Sequence, residues 1–164
     1  MAKNRNIIII EDNETFSLLV THYLKNNLIA SNIFVENSGK KAIRSIERLN
    51  PAVVVLDYYL EDDISAKDVM KVIKAMDQPP HVILLSSMTD EREKKEVMDM
   101  GISQFIQKSN ESIYDLVKAI REYVPEMEPE SNSKKGLSQM MWIGIAGVFI
   151  LFVIVLVFFV IRMD

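Results

Sequence analysis

The chain has 164 residues, with 19 Lys and Arg against 23 Asp and Glu for a formal charge of -4, and it has no cysteine. This size predicts one domain with one core and leaves no room for a second globular domain of ordinary size, such as a catalytic or DNA-binding output domain. The absence of cysteine excludes disulfides, zinc–thiolate sites and cysteine nucleophiles, and the mild acidity, without a Lys/Arg run longer than two, argues against a nucleic-acid surface.

The apolar residues of the first 124 positions change period repeatedly. Short apolar runs predict five strands, at residues 6–10, 33–35, 52–56, 82–85 and 105–106. A helix is expected after each strand. Four helices are marked by apolar residues at helical spacing: Phe16, Leu19, Val20, Tyr23 and Leu24; Ala42, Ile43, Ile46 and Leu49; Val69, Met70, Ile73 and Met76; and Ile113, Leu116, Val117 and Ile120. Asn13 is the expected N-cap of the first helix, and the charged segment 90–100, stopped by Gly101, is the fourth.

Five strand–helix repeats predict an α/β fold with a doubly wound, five-stranded parallel sheet, (βα)5. Strands that are apolar on both faces are typical of a parallel sheet covered by helices on both sides. Such sheets bind ligands at the carboxyl ends of their strands. The polar residues that end the predicted strands are Glu11 and Asp12, Asp57, Ser86 and Ser87, and Lys108.

These residue types together indicate phosphoryl chemistry. Clustered carboxylates suit Mg²⁺, which binds through a few oxygen ligands plus a phosphoryl group. Asp57 is then a plausible nucleophile towards phosphorus, and Lys108 would share the charge of the transferring phosphoryl oxygens. Each residue alone has a simpler explanation, because an acidic pair also favours a helix start and a terminal lysine is usually solvated.

The combination closely resembles the receiver domain of two-component response regulators over about residues 5–124. The matching residues are Glu11 and Asp12, Asp57, Ser86, Phe105 and Lys108. The spacing from Ser86 to Lys108, with Gly101 and Phe105 between them, also fits the family pattern. The resemblance implies a flavodoxin-like receiver fold and a set of partners: a histidine kinase or phosphotransfer protein as phosphodonor, and an effector protein.

The resemblance also implies the role of each residue. Asp57 would accept the phosphoryl group, and Glu11, Asp12, Asp57 and the backbone carbonyl of Tyr59 would hold Mg²⁺. Lys108 would pair with the phosphoryl group. Ser86 would rotate to hydrogen-bond it and Phe105 would turn inward, which would couple the site to the face formed by the fourth helix, fifth strand and fifth helix.

The chain departs from the family pattern at three places. Ser109 follows Lys108 where the family often has a proline in a cis peptide, Leu60 and Glu61 replace the usual Met-Pro, and Ser65 stands where glycine is common. These changes affect the expected loop geometry more than the chemistry. A pseudo-receiver that is never phosphorylated stays an open alternative.

Tyr59 and Met88 each lie two residues beyond a site residue. Bulky side chains there would flank the phosphoryl group and hinder an attacking water, which predicts slow autodephosphorylation; the alternative is that both only pack on the surface. Replacing them by Asn and Ala is expected to shorten the phosphoryl lifetime. His22 and His81 do not resemble phosphohistidine sites. The acidic run 61–63 is expected to be solvated, and the alternative is that it extends the metal site.

A second kind of segment follows the domain. Residues 140–161 are 22 consecutive uncharged residues, which as a helix would cover roughly 33 Å and cross a bilayer. Lys134 and Lys135 precede this segment and no signal peptide is evident, so a receiver at 1–124 is expected in the cytoplasm, tethered to the inner membrane by a flexible linker at 125–139 and a single-pass tail anchor, with residues 162–164 beyond it. Dimerisation through Gly144 and Gly147 stays open.

The sequence therefore predicts a membrane-anchored, Mg²⁺-dependent response regulator without a DNA-binding output domain. It is expected to be a phosphoacceptor rather than an enzyme, acting only on its own phosphorylation state. One alternative is a phosphate sink or shuttle for a membrane kinase. Another is an aspartate-dependent phosphatase, but those enzymes typically carry a second Asp where this chain has Tyr59.

Overall fold

The computed structural model describes residues 5–28, 31–61, 63–109 and 111–124. These residues form five strands and five helices in strict alternation. The strands are β1 (Asn6–Ile10), β2 (Asn32–Glu36), β3 (Val53–Leu56), β4 (His81–Ser86) and β5 (Gln104–Gln107). The helices are α1 (Glu14–Asn27), α2 (Gly39–Leu49), α3 (Ala66–Lys74), α4 (Glu91–Met98) and α5 (Ser112–Tyr123).

The five strands form one parallel sheet in the order β2-β1-β3-β4-β5. Successive residues of β1 point to opposite faces, because side chains alternate along a strand. Ile7 and Ile9 lie in a core with α1 and α5, and Ile8 and Ile10 lie in a second core with α2, α3 and α4. The predicted α/β architecture is therefore confirmed, with helices on both faces of the sheet.

Local capping explains where the helices begin. Asn13 accepts a hydrogen bond from the Phe16 backbone nitrogen at 2.9 Å, as predicted. Ser65 forms a capping box with Asp68 at the start of α3. Ser65, at a position where the family commonly has glycine, thus has a structural role, because its side chain supplies the cap of α3.

Three details differ from the predictions. Leu19 lies on the solvent side of α1 and is 53% exposed, because Val20 and Leu24 occupy the face that meets the sheet. α4 ends at Met98, earlier than expected, and Gly101 follows with a φ of +92°. Met76 lies beyond the end of α3, although it still packs against the core on that side.

Residues 125–164 lie outside the described part of the chain. The predictions for the linker at 125–139, the membrane helix at 140–161 and the tail at 162–164 all fall there. Within the described ranges, none of the helices combines the length and apolar character needed to cross a membrane.

Candidate functional site

Three carboxylates converge at the carboxyl edge of the sheet, the edge at which the strands end. β1 and β3 pair with Ile10 beside Leu56, so Glu11 and Asp57, the next residues, become neighbours. Glu11, Asp12 and Asp57 each place an oxygen within 4.8 Å of the others. Glu11 is 3% and Asp57 5% exposed, so two of the three negative charges are buried side by side.

Lys108 reaches this cluster from the end of β5. Its Nζ donates to Asp57 Oδ2 at 2.6 Å and lies 2.7 Å from Glu11 Oε2. Its backbone nitrogen donates to the Ser86 carbonyl at 2.8 Å, which continues the β4–β5 pairing and fixes where the side chain starts. The ammonium also lies 4.7 Å from the centroid of the Phe16 ring, a favourable cation–π distance.

The charges of this cluster perturb one another. Burial raises the pKa of Glu11 and the neighbouring Asp57 charge adds to this, against the opposing effect of Lys108. Burial alone would lower the pKa of Lys108, but its hydrogen bonds to Asp57 and Glu11 outweigh burial and leave that pKa above its ordinary value. One ammonium thus compensates only part of the negative charge, and a hard divalent cation with oxygen ligands fits the remaining donor set.

The loop after β3 is bound to the same carboxylates. The Tyr59 backbone nitrogen donates to Asp57 Oδ1 at 3.3 Å, and the Glu61 backbone nitrogen donates to Asp12 Oδ2 at 2.8 Å. These two bonds hold the backbone to the cluster on both sides of the Tyr59 carbonyl, and the ligand role of that carbonyl stays a prediction. In the described residues the group able to hold a metal comprises Glu11, Asp12 and Asp57 and does not extend to Glu61 or Asp63.

The two predicted switch residues occupy β4 and β5. Ser86, the last residue of β4, is fully buried, and its Oγ accepts a weak hydrogen bond from the Met88 backbone nitrogen at 3.4 Å. Phe105 is half-buried on the side of the sheet that carries α2, α3 and α4. Lys94 of α4 lies 5.3 Å above the centroid of its ring. Because β4 lies between β3 and β5, Ser86 is on the strand that separates Asp57, at the end of β3, from Phe105 in β5.

Tyr59 and Met88 have different environments. Tyr59 is 49% exposed, stacks edge-to-face on Tyr58, and donates through its hydroxyl to Glu93 of α4 at 3.4 Å. Partial burial and the Glu93 carboxylate raise the pKa of Tyr59. Met88 is 1% exposed and lies in the core with α3 and α4. Tyr59 is thus accessible and Met88 is packed in the core, and the expectation that they flank the phosphoryl group stays a prediction.

The remaining predictions concern the loop after Lys108 and the histidines. Ser109 accepts a hydrogen bond from the Glu111 backbone nitrogen at 3.2 Å, and Ser112 Oγ donates to its carbonyl at 2.8 Å, so serine holds the loop where the family often has proline. There is no cis peptide bond in the described ranges. His22 pairs with Asn26 on α1, and His81 opens β4 at the opposite edge of the sheet.

Two contacts at the site were not anticipated from the sequence. Glu61 has a backbone N–H to donate because it replaces the proline usual in the family, and the sequence shows this replacement. The sequence does not show the acceptor, because Asp12 lies 49 positions away. The Tyr59–Glu93 contact joins the acceptor loop to α4 and has no signal in residue spacing. Both depend on how the loop after β3 lies across the edge of the sheet.

A doubly wound parallel sheet with buried acids and a lysine at its carboxyl edge defines an α/β domain with a charged site at the strand ends. The sequence pattern of the response regulator receiver domain matches residues 7–121. The chain belongs to this family.

Individual relatives agree with that assignment. The response regulator protein VraR of Staphylococcus aureus is 24% identical over 115 residues, which cover 70% of this chain and 54% of the relative. The chain therefore spans about half the length of the curated relatives that it matches.

Solved structures show the same fold. The receiver domain of Francisella response regulator 1452 has a TM-score of 0.66 at 19% identity, covering 76% of this chain and all of that one. The Mn²⁺-bound form of response regulator Rcp1 has a TM-score of 0.62 at 19% identity, covering 72% of this chain and 92% of that chain.

Proposed function

We propose that this chain is a membrane-anchored receiver that accepts a phosphoryl group on Asp57 from a histidine kinase or phosphotransfer protein and signals through protein contacts. The observation that carries this proposal is the Asp57 environment. Its carboxylate is buried, lies within 4.8 Å of two further acids and is held at 2.6 Å by Lys108.

In the proposed reaction, a carboxylate oxygen of Asp57 forms the new bond to phosphorus while the bond from phosphorus to the donor histidine breaks. The histidine leaves with the electron pair of that bond. The second Asp57 oxygen stays available to the hydrogen bond from Lys108 or from the Tyr59 N–H, which fixes the direction of attack. A carboxylate oxygen attacks through its own lone pair, so this step needs no general base.

Lys108 and the acids have separate tasks in this scheme. Lys108 would move its ammonium from the free carboxylates to the incoming phosphoryl oxygens, a short change of partner at the same edge. Glu11, Asp12, Asp57 and the Tyr59 carbonyl would hold Mg²⁺. When bound, this ion supplies positive charge that offsets carboxylate repulsion and the charge of the phosphoryl group.

The proposed output uses the contacts between the site and α4. Ser86 would rotate towards the phosphoryl group and Phe105 would turn inward, altering the surface formed by α4, β5 and α5. Two contacts connect α4 to this region: Lys94 lies above the Phe105 ring, and Glu93 accepts a hydrogen bond from the Tyr59 hydroxyl. An effector protein would recognise this change.

Membrane anchoring through residues 140–161 is supported by their 22 uncharged positions. The described domain ends at Val124, in a cleft that includes Ala52 and His81. These residues precede β3 and open β4, so the chain leaves the domain at the amino edge of the sheet. The carboxyl edge with Asp57 is at the other end of the strands.

Labelling with a small phosphodonor and Mg²⁺ tests the acceptor assignment. We expect one acid-stable, alkali-labile acylphosphate per chain, none in Asp57→Asn, and normal labelling in Asp77→Asn, whose carboxylate is exposed and remote from the site. Labelled Asp57→Asn protein would refute the assignment. If neither small phosphodonors nor the histidine kinases of the source organism label the wild type, the pseudo-receiver alternative is correct.

A pull-down distinguishes a signalling switch from the alternative, a phosphate sink for a membrane kinase. A partner protein retained by the phosphorylated chain and not by Asp57→Asn supports a switch with protein output. Loss of phosphate from the other targets of a shared kinase, with no state-dependent partner, would support the sink instead.

A further inference from the structure

Charge is distributed unevenly among the five helices. α1, α4 and α5 each contain equal numbers of acidic and basic residues. α2 contains four basic residues and one acidic residue, and α3 contains three and one. These two helices together therefore carry +5 in a chain whose formal charge is -4, which leaves -9 for everything else.

The basic residues of α2 and α3 lie on the solvent side of one helical layer. On α2, Lys40, Arg44 and Arg48 are four residues apart, opposite the buried Ala42 and Ile46. On α3, Lys67, Lys71 and Lys74 are spaced by four and three, opposite the buried Val69 and Met70. These six cations are exposed, and so is the seventh, Lys41, whose ammonium donates to the Asn37 side chain at 2.9 Å. We call this surface the α2–α3 face.

The two helices are neighbours in space. They contact each other directly, and the first residue of α2 lies against the loop that leads into α3. A Cβ added to Gly39 would approach the Ile64 carbonyl oxygen to 2.5 Å. The cations of both helices therefore form one extended surface rather than two separate ones.

Ion pairing within the described ranges differs between the α2–α3 face and the other helices. Lys71 pairs with Asp68 at 2.8 Å, whereas Arg44, Arg48, Lys67 and Lys74 form no ion pair within the described ranges. On α4 and α5, three of the five basic residues have a neighbour of opposite charge: Arg92 with Glu96, Lys94 with Glu91, and Lys118 with Asp115. Equal numbers of acidic and basic residues leave α4 and α5 neutral, whereas the α2–α3 face carries an excess of positive charge.

We propose that the α2–α3 face binds anionic phospholipid headgroups, so that the receiver domain lies with this face on the bilayer surface. This inference rests on the proposed membrane anchor, since a linker of 15 residues keeps the domain on the order of 20 Å from its anchor point. Each Lys or Arg near an anionic leaflet strengthens attraction about fivefold, and the effect acts within about 8 Å at physiological salt.

An extended lipid surface fits this face better than a compact partner. Its unpaired cations are spread along two helices instead of converging on one pocket, and fluid anionic lipids can gather beneath each of them. The negative remainder of the chain is repelled by the same surface. The attraction of one face and the repulsion of the others together favour a single orientation of the domain.

Lysine acylation of the full chain in lipid vesicles tests the proposal. Vesicles of phosphatidylcholine are compared with vesicles that also contain phosphatidylglycerol, and the modification rate of each lysine is read by mass spectrometry. We expect Lys67, Lys71 and Lys74 to react several-fold more slowly only with phosphatidylglycerol, and Lys118, 76% exposed on α5, to react at the same rate in both. Raising the salt to 1 M, where screening acts within about 3 Å, should abolish the protection.

Two variants make the result specific. Arg44→Glu with Arg48→Glu should abolish the protection of the α3 lysines, whereas Arg92→Glu with Lys118→Glu, which changes the total charge equally, should leave it intact. Equal modification in both lipids, or protection that survives in the α2 variant, would overturn the proposal. Protection by an acidic protein or nucleic acid added to phosphatidylcholine vesicles, without protection by phosphatidylglycerol, would also overturn it.

Failure of the anchor gives a different result. A chain that does not incorporate into phosphatidylcholine vesicles refutes the membrane helix. If such a chain still shows the protection when phosphatidylglycerol vesicles are added from outside, lipid binding by the α2–α3 face is supported on its own. If it shows none, the α2–α3 proposal fails as well.

Discussion

The two edges of the sheet differ in what they bury. At the carboxyl edge, the buried carboxylates of Glu11 and Asp57 are joined by Lys108. At the amino edge, the contacts are of another kind: the Asn6 side chain donates to the Leu49 carbonyl at 2.9 Å, Arg121 donates to the Asn27 carbonyl at 3.2 Å, and the His81 and Tyr123 rings stack at 4.3 Å. Because burying charge costs stability, the comparison indicates that the carboxyl edge holds groups kept for chemistry, whereas the described contacts of the amino edge stabilise the fold.

Among the tests of this difference between the edges, Lys108→Ala is expected to have the largest effect. It leaves two buried carboxylates without their cation, and we expect a loss of about 3 kcal/mol in the free energy of unfolding, the low end for a broken buried pair, because the Lys108 side chain is still 20% exposed. Lys118→Ala on α5 should stay close to wild type. Urea unfolding measures both.

The dependence on pH and metal separates this loss from a packing defect. The pKa of Glu11 is already raised in the folded protein, so lowering the pH towards its ordinary value protonates it in the folded state first and should shrink the loss. Added Mg²⁺ should shrink it as well. A loss that is independent of pH and of Mg²⁺ would show that Lys108 acts through packing alone.

Glu61→Pro tests whether the loop after β3 positions Asp12. The substitution removes the N–H that donates to Asp12 at 2.8 Å, and we expect about tenfold weaker Mg²⁺ binding, since bonds that orient metal ligands typically contribute this much. Glu61→Ala keeps the N–H and removes the charge, so it serves as the matched control. Calorimetric titration distinguishes the two. Equal affinities in both variants would mean that the bond has no positioning role.

Tyr59→Asn tests the predicted hindrance to water. An Asn at this exposed position should shorten the acylphosphate lifetime several-fold, while Tyr59→Phe, which keeps the ring and loses the Glu93 contact, should leave it unchanged. Met88→Ala is now expected to lower stability instead, by about 2–5 kcal/mol for a buried Met. An unchanged or longer lifetime in Tyr59→Asn would count against this role of Tyr59.

At the amino edge, Tyr123→Phe should alter only stability. It removes the hydroxyl that donates to the Ser103 carbonyl at 3.2 Å, at a cost of about 1 kcal/mol or less. Mg²⁺ affinity and the rate of phosphorylation should match the wild type. A changed affinity would show that the two edges are coupled and would break the comparison.

The smallest effect is expected from Asp68, in the capping box of α3. Hydrogen bonds from Lys71 and Ser65 lower its pKa from 3.8 to about 2. A lowered pKa stabilises the fold above the ordinary value and the benefit is lost as the pH falls through about 2, so Asp68→Asn should flatten the acid limb between these values. Unfolding followed over this range would show no difference if the carboxylate made no net contribution.

Much of the fold could be predicted because its signals are local. The β-branched run 6–10 and the helical stripe with Val20 and Leu24 are short-range patterns, and the structure confirms both. Leu19 shows the limit of this reasoning. A helical stripe is wide enough to include it, but only the packing of α1 on the sheet decides which flank of the stripe is buried.

The candidate site could be located because parallel strands end at one edge. That rule brought Glu11, Asp57, Ser86 and Lys108 to the same region before any contact was known. It could not predict that Met88 turns into the core or that Asp12 binds the Glu61 N–H. These details depend on loop paths, for which residue spacing carries little information.

The sequence by itself determined the strand–helix alternation, the order of the site residues and the uncharged segment at 140–161, because each depends on residues close together in the chain. The tertiary structure alone decided which distant residues share a surface. No basic run longer than two occurs in the sequence, yet α2 and α3 join their cations into one face. Sheet order sets these neighbours, and sheet order depends on packing over the whole domain.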